Sequence, residues 1–383
     1  MKKIVIIGAN DFQNPLILKA KEMGFETHVF AWQDGSIGER TADYFYPISI
    51  VEKDEILKKC KDIMPDAVAT IASDLANITV QYLAQRLSLP CNSEECIDIT
   101  TNKYKMRQAL ADGGVKVPHF EIVGSVDDIK DYGKFSFPVI VKPTDRSGSR
   151  GITKVEDVSQ LEAAITSSVE QSFEKKAIVE DYITGPEFSC ECISFNGVHH
   201  FLTVTQKFTT GAPHFIETGH MEPAGLNDAM LNKVKKTIFK ALTALKVEFG
   251  ASHSEFRITP DGEIGIIEIG SRMGGDCIGS NLVYLSTGVD FVRGVIDVAS
   301  GKEPDLTPDF EPRAAAIRFV FSKEDMNVLD NVKKNYKDNL YFVSEISEIG
   351  EHKIVDSGTR YGFYIMTADN REKLLEISKL NRR

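Results

Sequence analysis

Ser252-His253-Ser254-Glu255-Phe256-Arg257-Ile258, the turn Thr259-Pro260-Asp261-Gly262, and Glu263-Ile264-Gly265-Ile266-Ile267-Glu268-Ile269 read as two strands joined by a hairpin. Each strand carries one glutamate among apolar neighbours: Phe256 flanks Glu255, and Ile266, Ile267 and Ile269 flank Glu268. A carboxylate in such a setting is costly unless it is paired or holds a cation. A two-residue turn would put both glutamates on one face. A three-residue turn with a bulge at Gly262 would shift the register by one and separate them. The sequence leaves both open. Oxygen donors without histidine or cysteine partners suit Mg²⁺ on nucleotide phosphates. The competing reading is a structural salt bridge from Glu255 to Arg257 or Arg272.

Downstream, Glu268-Ile269-Gly270-Ser271-Arg272-Met273-Gly274-Gly275-Asp276 supplies a glycine turn with free amides. Its arginine can grip a carboxylate or phosphoryl group at two points. Upstream, Phe137–Val141 is an apolar strand ending in Lys142-Pro143, before the polar loop Asp145-Arg146-Ser147-Gly148-Ser149-Arg150-Gly151. Gly148 and Gly151 let the backbone close on an anion, Ser147 and Ser149 can donate to it, and Lys142 can reach a phosphate as a point charge. Without Lys142 the loop would read as an ordinary hairpin tip. Lys103 is a second phosphate candidate, at the start of a helix spanning Thr101–Asp112. The strand Lys176–Val179 runs into Glu180-Asp181-Tyr182-Ile183, with Glu187 beyond; such an extended segment can meet an adenine edge, and Glu187 can accept from ribose hydroxyls.

The first hundred residues alternate strands (Lys3–Ile7, Glu26–Ala31, Ala67–Ile71) with helices (Pro15–Met23, Lys53–Ile63, Asn77–Leu87), the rhythm of a parallel α/β sheet. The turn after the first strand has Gly8 alone, so it is not a dinucleotide fingerprint. Asn10, Gln13 and Ser73 lie where strands end and ligands gather. Phe188–Phe195 and His199–Gln206 form a second hairpin around Asn196-Gly197, Asp228–Leu245 is an amphipathic helix, and Leu282–Ser300 is largely helical. Lys302–Pro312 reads as a linker into a strand-rich tail ending in one helix.

At 383 residues, 42% hydrophobic and 26% charged, the chain has the composition of a globular protein of several domains. A net charge of −11 argues against nucleic-acid binding. No stretch is long enough to span a bilayer, and the run Met1–Gly8 is a buried strand rather than a leader. The six cysteines make no metal pattern with histidines and read as reduced core residues of a cytoplasmic protein.

In order and spacing, Lys103, Lys142-Pro143, the glycine loop, Glu180 through Glu187, Glu255 and Glu268 resemble the ATP-grasp superfamily. The resemblance covers the chain as far as the Gly301 region, and its N-terminal sheet resembles the superfamily's pre-ATP-grasp domain. The tail is similar to the small C-terminal domain of biotin-carboxylase-like members. The implied fold is α/β with a two-lobed ATP-grasp domain, divided as 1–100, 101–304 and a β-rich 305–383. His253-x-Glu255 and Glu268-Ile269-Gly270-x-Arg272-x-Gly274-Gly275 resemble L-amino-acid ligases and related carboxylate–amine ligases. Glu217-Thr218-Gly219-His220 with Pro223 is similar to their substrate-side loop.

The resemblance implies that Lys103 and Lys142 hold ATP phosphates, Ser147–Gly151 closes over the γ-phosphate, Glu180, Asp181, Tyr182 and Ile183 meet adenine, and Glu187 the ribose. Glu255 and Glu268 would hold Mg²⁺, with Mn²⁺ the alternative ion, and Arg272 would stabilise an acyl phosphate. His220, His253, Gly274 and Gly275 would face the substrates. Many members carry an asparagine metal ligand two residues after the second glutamate. This chain has Gly270, so water or phosphate oxygens must complete the coordination shell. The implied activity is an ATP-dependent carboxylate–amine ligase acting on small molecules, with homodimers known among relatives. The rivals are a carboxyphosphate-forming enzyme, for which no biotin attachment module is visible, and a nucleotide-binding regulator without turnover.

Overall fold

A computed structural model describes the chain except for Ser147, Ser149, Pro213, His214 and 381–383. The strands are β1 Lys2–Ile7, β2 Phe25–Phe30, β3 Tyr44–Tyr46, β4 Ala67–Ala69, β5 Phe120–Val123, β6 Val139–Pro143, β7 Thr153–Val155, β8 Ala177–Asp181, β9 Glu187–Phe195, β10 Val198–Thr209, β11 Glu217–Glu222, β12 Gly250–Ile258, β13 Ile264–Gly270, β14 Ala314–Val320, β15 Leu340–Val343 and β16 Gly362–Ala368. They build three sheets, ordered β3-β2-β1-β4, β5-β8-β6-β7 and β13-β12-β9-β10-β11-β14-β16-β15. The first is parallel, as the strand–helix alternation predicts. The others are antiparallel.

The eight-stranded sheet positions the site. Side chains alternate across a strand, and here the two faces differ in kind. Phe188, Cys190, Cys192, Val204, Phe256 and Ile266 pack with the helix Asp228–Ala244 through Val234, Ile238, Ala241 and Leu242. The opposite face carries Glu187, Glu191, Lys207, His253, Glu255 and Glu268, brought side by side by the pairings His253↔Glu191, Arg257↔Glu187 and Glu255↔Glu268. Cys190 and Cys192 share the apolar face as expected, with sulfurs 3.6 Å apart, and burial pushes the Cys190 thiol up.

Three readings of local structure change. The expected helix Thr101–Asp112 starts at Lys103, and a helix that was not expected, Glu94–Thr101, precedes it directly. They are broken at Asn102, whose side chain accepts from the Tyr104 and Lys105 amides, both at 3.1 Å. Glu217–Glu222, expected from the resemblance to belong to a substrate-side loop, is an interior strand. Its Gly219 is packed so closely that a Cβ would lie 2.4 Å from Leu380 and 2.6 Å from the Ile317 carbonyl. The tail strands β14, β16 and β15 extend the same sheet from β11, and the tail also holds a helix at Lys323–Asn335. Among the described residues no helix is long and apolar enough to cross a membrane.

Candidate functional site

The β12–β13 hairpin decides which face its two glutamates occupy. Its loop is the three-residue kind: Thr259 pairs with Glu263, and Gly262 stands at φ +77°. Carried along the strands, that register gives Phe256↔Ile266 and would set Ile267 opposite Glu255. A bulge at Ile267 then shifts it, so that Glu255 faces Glu268 directly. The bulge is held from outside the hairpin, because Arg107 Nη2 donates to the Ile267 carbonyl at 2.8 Å.

Each glutamate has a resident lysine. Lys103 Nζ donates to Glu268 Oε1 at 2.9 Å and to the Arg146 carbonyl at 2.6 Å. Lys207 Nζ lies 2.5 Å from Glu255, 3.3 Å from Glu187 and 3.7 Å from Glu217. Burial works against the Lys207 charge, but the three carboxylates outweigh it and raise its pKa. They do not leave it free to deprotonate. Lys142 is 3% exposed and 2.6 Å from Glu180, and Arg107 Nε holds the other oxygen of Glu180 at 2.7 Å. Burial pushes Glu180 up, yet Arg107 and then Lys142 hold its carboxyl down at about 2. Burial also lowers Lys142, with Glu180 opposing.

A cleft of about 460 Å³ runs outward from Lys207 past Glu187, Arg257, Tyr182, Phe215 and Lys154. Arg257 Nη2 donates to Glu187 at 2.9 Å, and its Nη1 donates to the Tyr182 hydroxyl and, at 3.0 Å, to the Ile183 carbonyl. Its guanidinium lies 4.8 Å from the Tyr182 ring centroid, so the cleft has a cationic, aromatic wall suited to a flat base and an anion. Asp181 is spent on local structure, accepting the Ser136 amide at 2.8 Å. At the loop after Lys142, Gly148 and Gly151 have φ +72° and +70°, and a Cβ on Gly151 would lie 2.9 Å from Pro143. Ser147 and Ser149 lie outside the described residues.

Behind the glutamate pair, His253 sits between two carboxylates: Nδ1 on Glu191 and Nε2 3.2 Å from Glu255. Burial lowers its pKa, but Glu191 and Glu255 raise it to about 9. Gly274 donates its amide to Glu191 at 3.3 Å. Glu222, fully buried, accepts from Thr205 and Ser286, both at 2.7 Å, and burial pushes it up to about 8. On the tail side, His220 Nε2 lies 3.5 Å from Asp276, which Arg360 grips at 2.6 and 2.9 Å. Burial opposes the Asp276 charge, but Arg360 and His220 bring its pKa down. Arg272 is forked by Asp74, at 2.7 and 3.0 Å.

The sequence profile of the ATP-grasp domain matches residues 135–280, the span that holds Lys142, both glutamates and Arg272. Residues 135–280 are an ATP-grasp domain. Alanine–anticapsin ligase of Bacillus subtilis is 27% identical over 277 residues, 66% of this chain and 58% of that relative. An uncharacterised protein of Sinorhizobium fredii is 25% identical over 275 residues, 70% of this chain and 56% of its own length. The chain thus spans less than two thirds of these relatives. The crystal structure of L-amino acid ligase from Bacillus licheniformis superposes with a TM-score of 0.85 at 23% identity, covering 100% of this chain and 97% of that one.

The ATP-grasp arrangement gathers Lys103, Lys142, Glu187, Glu255, Glu268 and Arg272 onto one face and its margins. His253 and Gly274 stand beside Glu191 on that face, and His220 stands toward the tail. Lys207, Glu191 and Glu222 were not singled out from sequence, while Asp74 follows Ser73 at a strand end and Asp276 closes the glycine turn. Lys207 had a signal, a charge breaking an alternating strand next to Gln206; Glu191 and Glu222 look like ordinary acids until folded. A magnesium ion fits what the chain offers, two opposed carboxylates with hard oxygen donors. Among the described residues no group of three or more histidine, cysteine, aspartate or glutamate side chains could hold a metal, so phosphate oxygens and water would supply the remaining ligands.

Proposed function

We propose that this protein is an ADP-forming carboxylate–amine ligase that joins amino-acid-like substrates through an acyl phosphate. The observation that carries the reading is the bulge-enforced pairing of Glu255 with Glu268, each held by its own lysine, Lys207 and Lys103. ATP would lie in the cleft, its base against Tyr182 and its ribose on Glu187, with Lys103 and Lys142 on the phosphates. Bound Mg²⁺ would supply charge neutralisation of those phosphates from Glu255 and Glu268. Phosphoryl transfer needs positioning and charge stabilisation more than covalent help from the protein. Lys103, Lys142 and Arg272 provide cationic charge around the transferred group, and Gly148 and Gly151 give the adjoining loop freedom to exclude water from an acyl phosphate. An amine then attacks the carbonyl carbon and expels phosphate. Residues 1–100, 101–304 and 305–383 are the three units of this reading. The amino-acid preference is supported by the names of the ligases this chain is similar to.

The test supplies ATP and Mg²⁺ with pairs from an amino-acid panel, following phosphate release and product mass. Pair-dependent phosphate release with a condensed product is expected. Turnover that needs bicarbonate, with no response to any amino-acid pair, would replace the ligase with a carboxyphosphate-forming enzyme.

A further inference from the structure

Arg272 meets the N-terminal sheet at a residue far away in sequence. Its Nε lies 2.7 Å from Asp74 Oδ1, and its Nη2 donates to Oδ2 at 3.0 Å. Nη1 donates to the Met273 carbonyl at 3.3 Å. A guanidinium carries five N–H groups. Asp74 accepts from Nη2 and pairs by charge with Nε, whose N–H makes no hydrogen bond, and Met273 takes one proton of Nη1. Each terminal nitrogen keeps one further N–H, and a pair of terminal N–H groups can make a two-point contact with a carboxylate or phosphoryl group.

Gly270 makes room for this. It is paired with His253 and lies two residues from Glu268, so a side chain there would point to the charged face. A Cβ at Gly270 would lie 3.1 Å from Asp74 Oδ1 and 3.3 Å from Arg272 Cζ. The ion pair therefore occupies the volume beside the side chain that residue 270 lacks.

The contact is more than a fastening between sheet and site. The same segments are already tied by Asn77 Nδ2 to the Ser271 carbonyl at 3.0 Å and by the Ala72 amide to the Met273 carbonyl at 3.3 Å. Asp74 is the contact among these that meets a charged side chain of the site. It stands in the first turn of the helix Asp74–Arg86, whose N-cap Ser73 accepts from the Ala76 amide. Ala72 just before it is held at φ +60°, a strained conformation for a residue with a Cβ.

We propose that Asp74 is the positioning residue for Arg272, holding the guanidinium in the space beside Gly270 so that its remaining terminal N–H groups face the ligand's carboxylate or phosphoryl group. The inference rests on the ligase reading, and it makes the site incomplete without the N-terminal sheet. It assigns Gly270 a steric role that is independent of metal binding.

The test compares Asp74→Asn, Gly270→Ala and the double variant with the intact protein. Mg–ATP affinity, measured by calorimetry, is expected to stay within about twofold, because Lys103, Lys142 and the glutamate pair are untouched. With the amino-acid pair that turns over best, kcat is expected to fall about tenfold or more and KM for the acyl donor to rise. The double variant is expected to lose no more than the worse single one, because both changes disrupt one pair. A ¹⁵N spectrum of the arginine side chains, with the Arg272 signal assigned through Arg272→Lys, is expected to show slowed rotation of the Nη2 group in the intact protein and faster rotation in each variant. Unchanged kinetics in Asp74→Asn, or fully additive losses, would overturn the proposal. So would an Nη2 group whose rotation stays slowed without Asp74. If no substrate pair gives turnover in the intact protein, the ligase reading fails while the spectrum still decides whether Asp74 holds Arg272.

Discussion

The two faces of strands β9, β10, β12 and β13 are built by different rules. Phe188, Val204, Phe256 and Ile266 are apolar groups whose burial is favourable in itself. On the other face, Glu187, Glu191, Lys207, His253 and Glu255 are charged groups whose burial is unfavourable until each finds its partner. The first face needs about the right volume and forgives conservative exchange. The second needs particular atoms at particular distances, and a slip of one residue would destroy it. Catalytic potential is concentrated on the face where folding is costly, and the apolar face keeps it in register.

That contrast can be broken deliberately, beginning where the effect is largest. Phe256→Ala removes a ring stacked 5.7 Å from Phe188. It is expected to lower stability by about 3–5 kcal/mol in urea unfolding while Mg–ATP affinity at low temperature is kept. A large loss of affinity with unchanged stability would reverse the assignment of the faces. Glu268→Gln acts in the opposite sense: turnover is expected to fall at least about 100-fold, near 2.7 kcal/mol of barrier, with the melting temperature little changed. Wild-type rates in that variant would remove the metal role from the pair.

Glu222 sharpens the comparison through pH. Its folded pKa of about 8 lies above the ordinary 4.5. Its stabilising contribution is therefore complete below pH 4.5 and is lost as pH rises toward 8. Glu222→Gln stays neutral throughout, so its stability should decline less over that window, by about 2 kcal/mol after allowance for relaxation of a buried site. Parallel stability curves for the two proteins would show that Glu222 ionises normally. The smallest effect belongs to neither face. Lys105 and Asp98 form an exposed pair at 2.6 Å, and Lys105→Ala is expected to cost well under about 1 kcal/mol. A larger loss in urea unfolding would show that surface charge carries stability here.

Much of the fold was legible because its signals are local. The parallel sheet follows from strand–helix alternation, the β9–β10 hairpin from Asn196-Gly197, whose φ values are +50° and +76°, and the helix Asp228–Ala244 from its apolar stripe. What escaped was set by distant partners. Strand β11 has no alternation of its own because its surroundings, with Leu380 against Gly219, decide its packing. The break at Asn102 is stabilised by a carboxamide cap whose other end donates to Glu174 at 2.9 Å. Glu180 shows the same limit. The extended segment Glu180–Ile183 suggested an adenine contact through its backbone, but nothing local in the sequence showed that the Glu180 carboxylate would lie between Arg107 and Lys142.

By itself the sequence determined which charges are present, in what order, and that Glu255 and Glu268 must lie on neighbouring strands. It could not choose their faces. The three-residue loop would have separated them, and the Ile267 bulge, tied to Arg107, brings them back together. Tertiary structure alone decided that Lys207 would neutralise Glu255, that Asp74 would fork Arg272, and that the space beside Gly270 would be filled by that ion pair. The physical reason is one of range. Strand periodicity and turn chemistry act over a few residues, whereas the partner of a buried charge is whichever side chain the folded sheets bring within hydrogen-bonding distance.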